Sequence, residues 1–390
     1  TKNVIYLHDK DLAVLSNHQL KIYSLNENKE VKREVYTIDW SLDQVEKRDF
    51  NYFMIKEILE QVETIQKAAE QDEEILFKVA EEIKNASKIF LVACGSSYHA
   101  CLVASYLLSK ISKIYAFAIL ASEFPNYLHL LDKNTLVIAV SQSGETADVL
   151  EAVDLAKKNG SKVISIVNVI GSSLYRNSDK SLLMRSGPEI SVLSTKTYTS
   201  KLAIFLLIAY SIAGKYEEGK RKLSYLWNII YNLTSETTRN YIKKLAEKLK
   251  NEAHIFLIGR GLSYPTALEA ALKIKEVAYI HAEAFAGGEL KHGPIALIEN
   301  NTPCIVFVSK ENKEEILSNA IEIKSRGGYI IGVSPENYSP FDFLIKVPEV
   351  EEANPICQII PIQILSYQLA LLRGFDPDKP RNLAKSVTVK

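Results

Sequence analysis

Apolar and polar positions along most of this chain follow two alternating periods. Short runs such as Ile89-Phe90-Leu91-Val92 and Leu136 to Val140 are each followed by a polar or glycine-containing turn and then by a longer stretch with helical spacing. That alternation predicts strand, turn, helix units assembled on a parallel sheet. The pattern occurs twice. Ile89 to Tyr98 matches Ile255 to Tyr264 at an offset of 166 (256 − 90), and Thr135 to Ser141 matches Pro303 to Ser309 at an offset of 168 (309 − 141). The expected fold class is therefore α/β, with two homologous, doubly wound parallel-sheet domains in tandem, near 75–240 and 241–375.

Outside the repeat the texture changes. Val4 to Leu7, Leu12 to Ser16 and Leu20 to Leu25 read as three strands separated by polar turns, too few to form a stable core alone. Since the chain opens on Thr1, residues 1–35 are expected to be the remnant of an upstream domain. A polar segment, Asn26 to Asn51, leads into a helical stretch from Phe53 to about Ala86, and 36–74 is taken as linker and helix. Residues 376–390 form a tail without amphipathic period. Leu202 to Gly214 is an uncharged apolar run of only 13 residues, short of the roughly 20 that span a bilayer, so it predicts a buried core helix. Ala353 to Leu372 is longer but is interrupted by Pro355, Gln358, Pro361, Gln363 and Gln368, a poor membrane span.

Composition narrows the partners. Lys plus Arg number 47 and Asp plus Glu 47, which removes the excess of positive charge that phosphate backbones demand, so no nucleic acid is expected. No membrane is expected either. Four cysteines without a Cys-x-x-Cys pair signal neither a disulfide framework nor a zinc knuckle and suit a reduced, cytoplasmic setting.

Three turns carry candidate chemistry in the first half. Ser141-Gln142-Ser143-Gly144-Glu145-Thr146 lies between an apolar strand and the helical pattern Ala147 to Lys158. There, free backbone N–H groups and hydroxyls could hold an anion, typically phosphate. Ser and Thr are also ordinary helix caps, but this many hydroxyl and amide side chains at the carboxyl end of a strand favour a ligand. Cys94-Gly95-Ser96-Ser97 and Val192-Leu193-Ser194-Thr195-Lys196 should converge on the same sheet edge. The repeat's counterpart of the first turn, Ser309 to Glu314, is charged and lacks the glycine, so only one half is expected to keep a phosphate loop.

In the second half, Glu269, Lys273 and Glu276 fall on one face of a helical pattern. Taken alone, that spacing is ordinarily a solvated ion-pair ladder. It runs, however, into His281 to Pro294, a turn dense in His, Glu and Lys. The His-x-Glu fragment at His281 is followed by no second ligand cluster at metal spacing, so no metal is expected. In the tail, Lys385 lies between small residues. It is either part of a frayed terminus or folded over a pocket, where burial would make it nucleophilic.

SQSGETAD (141–148), CGSSYHA (94–100), ALKIKEVAYIHAEAFAGGELKHGPIALI (271–298) and PRNLAKSVTV (380–389) together resemble the glutamine:fructose-6-phosphate aminotransferases, over nearly the whole chain. The resemblance implies tandem sugar-isomerase domains of flavodoxin-like fold, with the glutaminase domain and its N-terminal cysteine missing. Isomerisation and amination of fructose 6-phosphate to glucosamine 6-phosphate, for UDP-N-acetylglucosamine synthesis, is the implied activity. Glutamine hydrolysis and ammonia channelling would be absent. The resemblance assigns substrate contacts to Gly95, Ser97, Ser141, Gln142, Ser143, Thr146, Val192, Ser194 and Ala384. Lys385 becomes the Schiff-base lysine, Glu276 the proton-shuttling base, Lys273 its accompanying cation, and His292 the ring-opening histidine supplied by the neighbouring subunit of a homodimer. No cofactor is implied. A deaminase or deglycase of the same superfamily and a non-catalytic sugar-phosphate regulator are the alternatives.

Overall fold

The structure, a computed structural model, describes residues 2–17, 19–37 and 45–389. At the N-terminus, β1 (Asn3–Ile5) pairs antiparallel with β5 (Val35–Thr37), while β2 (Asp11–Ser16), β3 (Gln19–Ser24) and β4 (Lys29–Val31) form a separate antiparallel sheet. Two of these strands lie in the stretch expected to be merely polar. Asn28, with φ of 50°, lets the chain reverse there, as Asn readily does, and return alongside β3.

The expected single helical stretch from Phe53 to Ala86 is three helices, Phe53–Leu59, Gln61–Ala69 and Glu73–Asn85. Asp72 starts the third by accepting from the Ile75 N–H at 3.0 Å, an N-cap that interrupts the apparent continuity.

The repeat then unfolds as two five-stranded parallel sheets. The first holds β6 (Lys88–Ala93), β7 (Phe117–Leu120), β8 (Thr135–Ser141), β9 (Lys162–Val167) and β10 (Lys180–Leu183) in the order β10-β9-β8-β6-β7. The second holds β11 (His254–Gly259), β12 (His281–Ala286), β13 (Pro303–Phe307), β14 (Tyr329–Ser334) and β15 (Phe343–Lys346) in the order β12-β11-β13-β14-β15. Numbered within each half, both read 2-1-3-4-5. This is the flavodoxin-like order whose switch point lies between the first and third strands.

Strand alternation explains how the halves join. Ile89, Leu91, Leu136 and Ile138 of the first sheet, with Ile255, Leu257, Ile305 and Phe307 of the second, all face one continuous apolar core. Phe90, Val92, Val137 and Ala139 point the other way, into a smaller core under the helix Ala147–Lys158. Phe256, Ile258, Cys304 and Val306 do the same under Lys313–Lys324. β6, β8, β11 and β13 are thus buried on both faces, as the inner strands of parallel sheets require. The shared core is filled by the helices Gly95–Leu107, Lys196–Ile212, Ser263–Ala278 and Asn354–Leu372. The segment Glu351–Leu372 is long and apolar enough to cross a membrane by length and composition, and its apolar window is 83% buried inside the protein.

Candidate active site

The first sheet's switch point lies between β6 and β8, so the turns after these strands flank one crevice. After β6 the chain passes through Gly95, whose φ of 53° opens the helix Gly95–Leu107. A Cβ built there meets nothing within 4 Å, so the space above this turn is open. After β8, Gly144 adopts φ of 68°, and a Cβ there would lie 2.1 Å from the Ser172 Oγ. Only glycine fits. The turn is internally bonded. Ser141 Oγ is 2.9 Å from Thr146 Oγ1 and accepts from the Gly144 N–H at 3.0 Å, and Ser143 Oγ accepts from the Glu145 N–H at 3.2 Å.

The tail closes over this turn. Ser386 Oγ lies 2.9 Å from Ser143 Oγ, and the Val387 carbonyl accepts from the Ala147 N–H at 3.0 Å, satisfying the first N–H of the helix. Lys385 thereby projects its Nζ to 2.7 Å from Glu189 Oε2, with the Leu193 carbonyl at 3.5 Å. Ala384 beside it is exposed. The base of the tail is tied down elsewhere. The two Asp378 carboxylate oxygens accept from the Phe53 and Met54 N–H groups, each at 2.8 Å, and the Asp378 carbonyl accepts from Val192 N–H at 3.1 Å.

Glu189 was not singled out in the sequence, and it organises the third turn. Fully buried, it accepts from the Thr195 N–H at 2.9 Å, the Thr197 N–H at 3.2 Å and the Thr197 hydroxyl at 2.8 Å, at the start of the helix Lys196–Ile212. Burial works to raise its carboxyl, but the charge and hydrogen bond of Lys385, then Lys201 and the Thr195 N–H, hold it well below the usual carboxylate range. Glu57 buries a second carboxylate nearby, bonded to Ser191, and burial followed by the charge of Glu189 pushes it upward. Ser194 Oγ sits 2.8 Å from Thr197 Oγ1.

The ladder Glu269, Lys273, Glu276 is not solvated. Glu269 and Lys273 are fully buried and the Glu276 side chain keeps 21% of its exposure. Lys273 Nζ lies 3.3 Å from Glu269 Oε1 and 2.6 Å from Glu276 Oε2, and donates to Ser96 Oγ at 3.0 Å, joining the two halves. His99 Nδ1 is 2.8 Å from Glu269 Oε2. Burial works to raise Glu269, yet Lys273 and then His99 hold it down at about 2. For Glu276 burial wins and its carboxyl is raised, despite Lys273. Two carboxylates on one lysine thus have different proton affinities, the usual basis for dividing acid and base roles. The helix is buried on both sides: Ala267, Ala270, Ala271 and Ile274 pack into the core from the face opposite the ladder, and the ladder itself meets Ser96 and His99 of the first half.

Among the sequence candidates the structure thus gathers Gly95, Ser141, Ser143, Thr146, Val192, Ser194, Lys273, Glu276 and Lys385 around one sheet edge. Ser97 is buried in the first turn of its helix, and the hydroxyl that meets Lys273 is that of its neighbour Ser96. Gln142 lines a cavity of about 580 Å³ together with Glu189, Arg185, Lys67 and Tyr6. His292 stands apart. It is exposed in the turn Gly287–His292, and among the described residues it makes no hydrogen bond or ion pair with the site groups.

Residues 82–211 and 248–373 match the SIS domain, one copy in each half. The chain is 44% identical to a glutamine–fructose-6-phosphate aminotransferase (isomerizing) of Thermococcus kodakarensis, over all of this chain and 67% of that protein. To the protein so named in Methanothermobacter thermautotrophicus it is 41% identical, over all of this chain and 66% of the relative. Among solved structures, the C-terminal domain of glucosamine-fructose-6-phosphate aminotransferase from Francisella tularensis matches with a TM-score of 0.77 and 34% identity, over 86% of this chain and all of that one.

The chain belongs to the glutamine–fructose-6-phosphate aminotransferase family. It spans about two thirds of the length of the curated relatives it matches and corresponds to their tandem SIS-domain portion. A glucosamine-6-phosphate deaminase from Thermotoga maritima also shares the fold, at 28% identity and a TM-score of 0.70. For this aminotransferase family the named relatives are enzymes, so the buried carboxylates and lysines described above sit in an enzyme fold.

Proposed function

We propose that the chain isomerises fructose 6-phosphate and, given ammonia, forms glucosamine 6-phosphate with loss of water. The observation that carries this reading is the tail. It sets Ser386 on the Ser141–Thr146 turn and Lys385 on Glu189, so an amine and an anion-binding turn are held together by consecutive residues.

In this reading the phosphate is bound by the hydroxyls of Ser141, Ser143 and Thr146, with Gln142, Ser97 and the Gly95 turn around it. Binding contact at this non-reacting group orients the carbons at the other end. The Lys385 amine adds to the open-chain C2 carbonyl, and the carbonyl oxygen leaves as water. Ammonia adds to C2 of the resulting iminium and the Lys385 amine leaves, or, without ammonia, water restores the open-chain ketose. The C1 proton beside that C2 imine or carbonyl is acidic, and Glu276 takes it and returns it at C2, with Lys273 holding the carboxylate in place. Val192, Ser194 and Ala384 line the sugar. Support for Glu276 in the shuttle is its raised carboxyl beside a pinned, ionised Glu269.

His292 opens the hemiketal from the neighbouring subunit of a homodimer. Its exposure and its separation from the other site groups support that assignment. Mixed Lys385→Ala and His292→Ala chains are then expected to recover activity that neither has alone, and no recovery would place the whole site in one chain.

The direct assay is conversion of fructose 6-phosphate to glucose 6-phosphate by the chain alone. Sugar binding without turnover would leave a sensor rather than an enzyme. Release of ammonia from glucosamine 6-phosphate with formation of fructose 6-phosphate, and no conversion of fructose 6-phosphate to glucose 6-phosphate, would favour the deaminase reading, which the Thermotoga maritima structure makes the second choice.

A further inference from the structure

Lys201 is a fully buried lysine that the proposed chemistry does not use. It lies in the second turn of the helix Lys196–Ile212 and is 1% exposed. Among the described residues its Nζ makes one hydrogen bond, a long 3.5 Å contact to Ser194 Oγ, and no carboxylate lies within ion-pair distance. Burying an ammonium without a contact partner is costly, so such a group persists where the surroundings supply a reason.

The surroundings are the two charge groups of the site. Ser194 Oγ lies 2.8 Å from Thr197 Oγ1, which donates to Glu189 Oε2 at 2.8 Å. The same oxygen holds Lys385 Nζ at 2.7 Å, so Lys201 and Lys385 reach one carboxylate from two sides. The charges of Glu269 and Lys273 on the helix Ser263–Ala278 also act on Lys201. Burial pushes the Lys201 ammonium down to about 8, while the two carboxylates resist that fall.

We propose that Lys201 is a positioning residue that remains as the counter-charge of Glu189 and so lets Lys385 part from that carboxylate as a neutral amine. The inference rests on the imine reading of Lys385. Without a second cation, Glu189 would retain Lys385 as an ammonium, which has no lone pair to give. With one, the proton leaves to solvent, and the lone pair forms the N–C bond to the carbonyl carbon. Water then departs with the former carbonyl oxygen, leaving an iminium that borohydride reduces to a stable secondary amine. A cation near the nucleophilic lysine is a general means of activating it.

The test is the rate of borohydride trapping of fructose 6-phosphate on the protein as a function of pH, with the labelled lysine located by peptide mapping. Lys201→Gln and Lys201→Met remove the charge. For both, the pH midpoint of trapping should move up by about one unit, the scale set by one neighbouring like charge, and the rate below the midpoint should fall about tenfold. Lys201→Arg keeps the charge and should stay near the wild-type midpoint. Circular dichroism confirms that each variant folds, and either neutral variant suffices. An unmoved midpoint in the neutral variants, an equal shift in Lys201→Arg, or label on Lys201 itself would overturn the proposal while leaving the imine reading intact. Failure to trap sugar on the wild type would remove both.

Discussion

The two halves share a strand order, a turn geometry and a core, yet only one leaves the space above its first turn open. Gly95 and Gly261 both have φ of 53° and open equivalent helices. Above Gly95 there is open space, whereas a Cβ on Gly261 would come 2.7 Å from Asn312 Nδ2. Ser263, the counterpart of Ser97, donates to Gln358 Oε1 at 2.9 Å, and Gln358 Nε2 in turn donates to the Val308 carbonyl at 3.0 Å. The second switch point is thus stitched shut by its own side chains. The second half contributes instead through the helix Ser263–Ala278, whose charged face reaches Ser96 and His99 of the first. A repeated fold has become an asymmetric arrangement in which one copy keeps an open switch point and the other supplies buried charged groups.

Breaking the comparison most sharply means removing the group to which the proposed function gives the covalent step. Lys385→Ala should abolish borohydride trapping and lower isomerisation by roughly a thousandfold or more, a cost of about 4 kcal/mol or more in the barrier. Lys310→Ala, on the second half's edge, should change the rate less than about twofold; comparable losses would mean that both edges are catalytic.

The contribution of the second half can be tested through stability and acid titration. Glu269→Gln removes one partner of a buried ion pair and should cost about 3 to 5 kcal/mol at pH 7, read by denaturant unfolding. The sign of its pH dependence follows from the depressed carboxyl. A group held at about 2 when folded, against an ordinary 4.5, stabilises above the ordinary value, and that stabilisation is lost as pH falls from 4.5 toward 2. The variant should therefore lose less stability over that window than the wild type. A steeper loss would show Glu269 to be protonated in the fold.

The smallest expected effect sharpens the comparison of the two turns. Ser143→Ala should weaken sugar-phosphate binding about tenfold, the worth of one hydrogen bond to a charged group, and move KM more than kcat. Glu311→Ala in the opposite turn should leave KM within about twofold. Unchanged affinity in Ser143→Ala would remove the phosphate role of this turn.

The sequence made the doubly wound halves legible because strands buried on both faces read as unbroken apolar runs, and the bounds of the helix Ala147–Lys158 could be read directly. The serine turn was legible for the same reason, lying where such a strand ends. Glu57, Glu189 and Lys201 were not. Each is a single charged residue whose partners come from distant segments, so no local period marks it. Glu189 in Gly-Pro-Glu reads as an ordinary turn, and Lys201 sits within an otherwise core-forming helix. The ladder at Glu269 is ambiguous in the sequence, since its spacing suits water as well as a buried site, and what covers it, Ser96 and His99, comes from the other half.

The Asp378 carboxylate binds the start of a helix that lies 324 residues earlier in the chain. One turn further along that same helix, Glu57 holds Ser191, two residues from Glu189 on which Lys385 rests. The first helix of the tandem and the last segment of the chain are therefore two ends of one latch. Coupling of this kind is reciprocal. Any free energy spent on disturbing the helix Phe53–Leu59 is felt as a looser tail, and a ligand that settles the tail tightens that helix by the same amount.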